Sequence, residues 1–209
     1  MNPEFKQTLK NGAKSLNIKL SDLHMHLLED HADQLMLWNK KINLTAINTA
    51  QEIAEKHFID SLSASLHTPV TGSLIDLGSG GGFPGLPMKI MNPVLSVTLV
   101  DASRKKVNFL KHVIRTLGLE NIDAVHERAE NLHKEPAYAG QFDCVISRAF
   151  TELENFADLA EPFLEPDGVI CAMKGKHADK EIVPAVSKRF SIEKQYYQLP
   201  FEKSDRNII

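Results

Sequence analysis

No run of this chain is apolar for long enough to cross a membrane, and its first residues, Met1-Asn2-Pro3-Glu4-Phe5-Lys6, lack the apolar centre of a signal peptide. No membrane association is expected, and the cytoplasm is the expected compartment. Cysteine is nearly absent. Cys144 and Cys171 each lie inside an apolar run, and no Cys or His spacing around them suits a metal. They read as buried strand residues in a reducing compartment, with no metal expected. An excess of charge of one sign is also lacking: 24 Lys and Arg against 27 Asp and Glu leave a formal net charge of -3. That excludes a global pull toward nucleic acid and confines any polyanion site to local patches.

What is present is an ordinary globular composition. With 209 residues, 43% of them hydrophobic, the chain can bury one full α/β core plus a small appendage. Leu20, Leu23, Leu27, Leu35, Trp38 and Ile42 recur at helical spacing behind a possible Ser21 or Asp22 cap. A second helix is expected over about Ala50 to Leu66, and a weaker one before Leu20. Residues 1–68 therefore read as a helical appendage ending at Thr68-Pro69 and Thr71-Gly72. From there, over 69–209, apolar strands alternate with helices: Leu74 to Leu77, Leu95 to Val100, Ile122 to His126, Phe142 to Ile146 and Val169 to Met173. A helix from Arg104 to Leu117, stopped by Gly118, falls between two of them, and Ser191 to Leu199 is a candidate extra strand. The alternation predicts a doubly wound, mostly parallel sheet, whose ligands gather at the carboxyl ends of its strands.

The first strand, Leu74-Ile75-Asp76-Leu77, runs into Gly78-Ser79-Gly80-Gly81-Gly82-Phe83-Pro84-Gly85. Glycines there let a ligand approach the backbone and permit positive φ, so main-chain N–H groups are expected to face it. Pro84 suits a first helical position. The segment also fits G-x-G-x-x-G, with Asp101 near the distance of a dinucleotide fingerprint. Asp76 separates the two cofactor classes: a carboxylate at the end of the first strand repels a pyrophosphate but helps neutralise the ammonium and sulfonium of S-adenosylmethionine.

The other strand ends supply a consistent set. Asp101 can accept both ribose hydroxyls. Arg128-Ala129-Glu130 follows the third strand, where an adenine edge is met, and Ser147-Arg148-Ala149-Phe150 ends the fourth, nearest the transferred group. The Pro-Pro-aromatic turn used on exocyclic base amines is missing, although Phe150 is present, and neither cysteine stands in the Pro-Cys turn that pyrimidine C5 chemistry needs. A ring nitrogen with an exposed lone pair, such as guanine N7, needs neither device, so no residue is required as a general base. Phe150 and Arg148 remain as substrate-positioning candidates, with alignment worth roughly 7 to 11 kcal/mol.

These residues resemble the RsmG, or GidB, family of bacterial 16S ribosomal RNA guanine-N7 methyltransferases. The likeness runs through Trp38-Asn39-Lys40-Lys41-Ile42-Asn43-Leu44-Thr45, His57-Phe58-Ile59-Asp60-Ser61-Leu62, Asp76 to Gly85, Lys105 to Leu110, Arg128-Ala129-Glu130 and Ser147-Arg148-Ala149. It implies a Rossmann-like class I methyltransferase fold acting on the small ribosomal subunit, and an S-adenosylmethionine site at Gly78, Phe83, Ala129, Glu130 and Arg148. Gly80 and Asp101 join that site from the residue pattern alone. A monomer is expected. The ending Asp205-Arg206-Asn207-Ile208-Ile209 departs from the family's closing strand, which suggests a shortened sheet edge.

Three other readings stay open: a methyltransferase of small molecules or proteins, a dinucleotide-dependent oxidoreductase, and a non-catalytic RNA-binding factor. Arg104-Lys105-Lys106, Lys174-Lys176 and Lys188-Arg189 are candidate phosphate patches, although solvated helix faces explain each singly. His24, His26 and His31 do not share a metal-binding face, Trp38 reads as core, and His57 and Asp60 suit RNA contact or the appendage junction equally.

Overall fold

The computed structural model describes residues 2–68, 72–148 and 150–209. The expected appendage boundary at 68/69 falls against residues 69–71, outside the described residues, as does Ala149. Helix α1, Pro3–Ser15, starts with Pro at its first position, and the Asn2 side chain accepts from the Glu4 N–H at 2.9 Å. Helix α2, Asp22–Ile42, begins with a capping box made by Ser21 and His24 and ends on Asn43 in the left-handed region. The helix expected over Ala50 to Leu66 is three segments in series: α3, Ala50–Ile53, a π-helical turn, Ala54–Ile59, and α4, Asp60–His67. Periodicity in sequence does not register a π turn, which inserts one residue per turn without breaking the helix.

The sheet has seven strands: β1, Ser73–Leu77; β2, Ser96–Asp101; β3, Ile122–His126; β4, Phe142–Arg148; β5, Leu164–Gly175; β6, Gln195–Gln198; and β7, Asp205–Ile208. Their order is β3-β2-β1-β4-β5-β7-β6, with β1 to β5 parallel and β7 antiparallel to both neighbours. The expected doubly wound sheet is present. The residues after Asp205, expected to leave a shortened edge, instead form β7 inside the sheet, between β5 and β6. The connecting helices are α5, Gly85–Met91; α6, Arg104–Thr116; α7, Ala129–Leu132; α8, Leu153–Ala160; and α9, Pro184–Ser187. Gly118, at φ +60°, follows α6. Among the described residues no helix is long and apolar enough to cross a membrane.

Alternation along β1 divides the core. Ile75 and Leu77 join Val100, Phe156 and Phe163 on one face, while Leu74 joins Leu99, Leu86 and Phe109 on the other. The second cluster also contains Phe5, Leu9, Leu28, Leu35, Phe58 and Leu62 of the N-terminal helices, so they share one apolar core with the sheet. Gly12 lets α1 close on the π turn: a Cβ there would lie 2.0 Å from Ile59 Cδ1. Phe58 is fully buried and meets Phe5, His31 and Phe83 at ring distances of 5.1 Å. Phe58→Ala should therefore cost about 3 to 5 kcal/mol of unfolding free energy in urea titrations, as expected for a large ring lost from a close-packed site.

Candidate cofactor site

The order of the strands reverses between β1 and β4, which opens a crevice at their carboxyl ends. The glycine turn occupies it, with Gly78, Gly80 and Gly82 at φ +76°, +58° and +91°. Its N–H groups do not point outward as expected. Gly78 and Ser79 donate to Val100 O, Gly82 and Phe83 donate to Ser79 O, and Gly80 donates to Asp101 Oδ2, at 2.8 to 3.0 Å. Five of the six N–H groups from Gly78 to Phe83 are thus engaged within the protein. A pyrophosphate requires such donors free, so this turn does not suit a dinucleotide. The Ser79 hydroxyl donates to Asp76 O and accepts from the Val100 N–H, which fixes the turn on both flanking strands.

Two carboxylates sit beneath and beside the turn. Asp101, at the end of β2, is 7% exposed and also accepts from the Ser103 N–H at 2.8 Å, with Lys106 Nζ at 3.7 Å. Asp76 is fully buried, and its Oδ2 accepts from the Gly85 N–H at 2.9 Å. That bond satisfies the first orphan donor of α5, so the helix starts at Gly85 and Pro84 stands one residue earlier, at the cap. Asp76 Oδ1 has no partner. Burial pushes the Asp76 carboxyl up to about 7, against the lowering effect of the Gly85 N–H.

These features fit a cationic, nucleoside-bearing cofactor. The uncompensated oxygen of Asp76 puts negative potential under the turn once the carboxyl ionises, above about pH 7 in the protein alone, and a cation bound there favours the ionised form. A Cβ on Gly80 would find only Gly78 O, at 3.8 Å, so that side of the turn is open space. Phe150, 40% exposed, lies against Gly78: a Cβ there would approach its ring to 2.5 Å. Ala129 is buried at the start of α7, and Glu130 is exposed on the same turn. His126 Nε2, 3.2 Å from Ala102 O, ties the end of β3 to the turn after Asp101.

Two residues of the expected site are placed differently. The Phe83 ring is buried between the stacked imidazoles of His31 and His57, with centroids at 4.9 and 4.7 Å, so only its main chain borders the turn. The Arg148 guanidinium, expected in the cofactor site or at the substrate, points toward the N-terminal helical segments. It donates to Lys56 O at 2.7 Å, to Asp60 Oδ2 at 3.3 Å and to His57 Nδ1 at 2.9 Å, and lies 5.1 Å above the Phe83 ring. A partly buried guanidinium takes a complete acceptor set where one is offered, and here the π turn and α4 offer it.

His57 and Asp60 accordingly stand at the junction. His57 accepts from Arg148 at Nδ1, so Nε2 carries the proton and donates to Thr45 Oγ1 at 2.8 Å. Burial and the neighbouring guanidinium lower its pKa to about 3. Asp60 also accepts from Tyr197 at 2.9 Å and pairs with Arg206 at 3.5 Å, which brings β6 and β7 into the same network. Asn39 holds the Thr45 backbone at both its N–H and its carbonyl, at 2.9 Å, so the Asn39 to Thr45 segment serves this junction. His31, whose only signal was its place on the apolar face of α2, bonds Gly81 O through Nε2 at 2.8 Å, and burial lowers its pKa to about 4.

The candidate phosphate patches divide. Arg104, Lys105 and Lys176 are exposed, whereas Lys174 pairs with Glu181 at 2.7 Å and donates to Thr151 O. Arg189 is held by Asp158 and Glu161. Trp38 packs at the edge of the core, 5.7 Å from Phe109. Among the described residues no group of His, Cys, Asp and Glu is arranged to hold a metal, and both cysteines are free and buried.

Fold and site together define a Rossmann-like α/β protein with a cofactor turn at its switch point. A solved structure of a predicted O-methyltransferase from Agrobacterium tumefaciens superposes with a TM-score of 0.58 over 71% of this chain and 77% of that one, at 20% identity, a likeness of fold. The profile of the GidB family, rRNA small subunit methyltransferase G, matches residues 24–209. Ribosomal RNA small subunit methyltransferase G of Geotalea uraniireducens is 47% identical over 84% of this chain and 80% of its own length. The Geobacter metallireducens enzyme of that name is 41% identical over 100% of this chain and 96% of its own. The chain belongs to the GidB family.

The buried Asp76 carboxyl gives a pH test of this geometry. Its folded pKa, about 7, lies above its unfolded value, so the native state holds the extra proton between about pH 4 and 7. Its contribution to stability is therefore full at low pH and is lost as pH rises through that window. His31 and His57 act in the opposite sense and cancel in a comparison of variants. Asp76→Asn should gain on wild type by up to about 1.4 kcal/mol per pH unit across the window and level off above it, measured by urea unfolding at a series of pH values.

Proposed function

We propose that this chain transfers a methyl group from S-adenosylmethionine to N7 of a guanine in 16S ribosomal RNA of the small subunit, acting as a monomer in the cytoplasm. The observation that carries the reading is the closed glycine turn over an unpartnered carboxylate oxygen of Asp76, within a chain of the GidB family. When bound, the cofactor supplies an electrophilic methyl group on a sulfonium centre. Gly80 leaves room for it along the turn, Asp101 is positioned to accept ribose hydroxyls without releasing the Ser103 N–H, and Asp76, ionised beside a bound cation, balances its positive charge. Ala129 and Glu130 border the place of an adenine edge, by main chain and carboxylate respectively.

Guanine N7 carries no proton, so its lone pair attacks without a general base. Positive charge then grows on the base. Phe150, exposed beside Gly78, is the ring placed to stack on that base and favour the charge through cation–π attraction. Arg148, turned away into the junction, leaves the developing charge unopposed and holds the end of β4 in position.

Incubation with methyl-labelled cofactor and either naked 16S ribosomal RNA or intact small subunits, followed by mapping of 7-methylguanine, tests the reaction. Label on a small molecule or a protein instead would refute it. Calorimetry should show S-adenosylmethionine binding and no comparable binding of NAD. Asp101→Ala should weaken the cofactor by about 1.5 to 3 kcal/mol, the range for hydrogen bonds to a charged group. Phe150→Ala should lower turnover more than cofactor affinity. The methyl-transfer rate at saturating substrates should stay nearly flat from mildly acidic to mildly alkaline pH, since no titrating side chain takes the proton of a nucleophile.

A further inference from the structure

Residues 1–20 contain Lys6, Lys10, Lys14 and Lys19 against a single acid, Glu4, a formal +3. The whole chain is -3, so residues 21–209 carry a formal -6. Lys6, Lys10 and Lys14 recur every fourth residue of α1, about 100° around the helix from the buried stripe of Phe5, Leu9 and Ala13, and so form one row about 12 Å long. All four lysines are exposed and line a groove of about 720 Å³ between α1 and the start of α2. Two acids, Asp22 and Glu29, share that groove, and Lys6 pairs with Glu29 at 3.3 Å. Lys10, Lys14 and Lys19 have no carboxylate partner among the described residues.

Like charges at four-residue spacing oppose the helix that carries them, by a few tenths of a kcal/mol per pair. A solvated helix face ordinarily offsets this with interspersed acids, and α1 does not. We propose that this lysine row is a docking surface for the phosphate backbone of the RNA substrate, separate from the cofactor crevice. The inference rests on the RNA reading of the function. Flexible ammonium groups without fixed partners suit sequence-independent phosphate contact. The row is also tied to the reaction site through packed contacts. Gly12 and Phe5 seat α1 on Ile59 and Phe58 of the π turn, whose His57 and Lys56 hold Arg148 at the end of β4.

The test compares wild type with the triple variant Lys10→Gln, Lys14→Gln, Lys19→Gln, in filter binding to naked 16S ribosomal RNA over a range of salt concentrations. Cofactor affinity by calorimetry and thermal midpoint serve as controls, and Lys10→Arg, Lys14→Arg, Lys19→Arg serves as the charge-keeping counterpart. The glutamine variant should bind RNA at least about tenfold more weakly, with the slope of log affinity against log salt reduced by about 2 to 3. Its cofactor affinity should not move and its thermal midpoint should not fall, rising slightly if anything as the like-charge pairs are removed, and the arginine variant should retain the wild-type slope. An unchanged slope in the glutamine variant, with wild type still methylating the RNA, would overturn the docking surface alone. A loss seen only with assembled subunits, and not with naked RNA, would assign the row to an acidic protein surface and overturn it as well. Wild-type protein that neither binds nor methylates ribosomal RNA would instead overturn the functional reading beneath it.

Discussion

The partly buried charge of Arg148 organises this molecule. A guanidinium does not lose its proton in a protein, so placing one among core residues requires acceptors on every side it presents. Here they come from a different part of the chain: the Lys56 carbonyl, His57 Nδ1 and the Asp60 carboxylate. The π turn brings the first two into reach, and Asp60, itself bonded to Arg148, engages Tyr197 and Arg206 of the terminal strand pair. The N-terminal helices, the end of β4 and the β6–β7 pair are thus held to one cation. Burial and Asp60 together raise the Tyr197 hydroxyl well above its ordinary range, so that ring remains a neutral donor.

The same logic shapes the cofactor turn. Its glycines adopt positive φ so that the chain can fold back on Val100, and the donors released by that geometry are taken up internally. Asp101 and Asp76 become part of the scaffold before they meet any ligand. What the crevice then offers is negative potential, open space at Gly80 and an aromatic ring at Gly78, rather than a set of free N–H groups. Such a surface favours a positively charged nucleoside and disfavours a diphosphate. His31 reinforces the turn from the side of the N-terminal helices by bonding Gly81 O, which makes α2 part of the site's framework.

Much of this is legible in the residue pattern. The strands from Leu74 to Met173 stand out as apolar runs of strand length, and Gly118 ends α6 as a glycine past a helix terminus should. The Ser21 cap and the acids at the ends of β1 and β2 are equally readable. What escapes is anything that depends on a partner distant in sequence. His31 looks like one more residue on an apolar helix face, Phe83 looks like part of a ligand turn, and Lys174 looks like a free cation until Glu181 is placed beside it. The insertion of β7 between β5 and β6 leaves no mark on local periodicity.

Sequence alone determined the alternation of strand and helix, the glycine turn after β1 and the residues available at each strand end, because those features depend on backbone freedom and on spacing along a single element. Tertiary structure alone decided that Arg148 faces the N-terminal helices, that one oxygen of Asp76 lies buried without a partner, and that the turn's own donors are closed off. Each of these follows from which groups meet across a packed interior, where an unsatisfied charge or N–H is costly and the nearest complete partner set prevails.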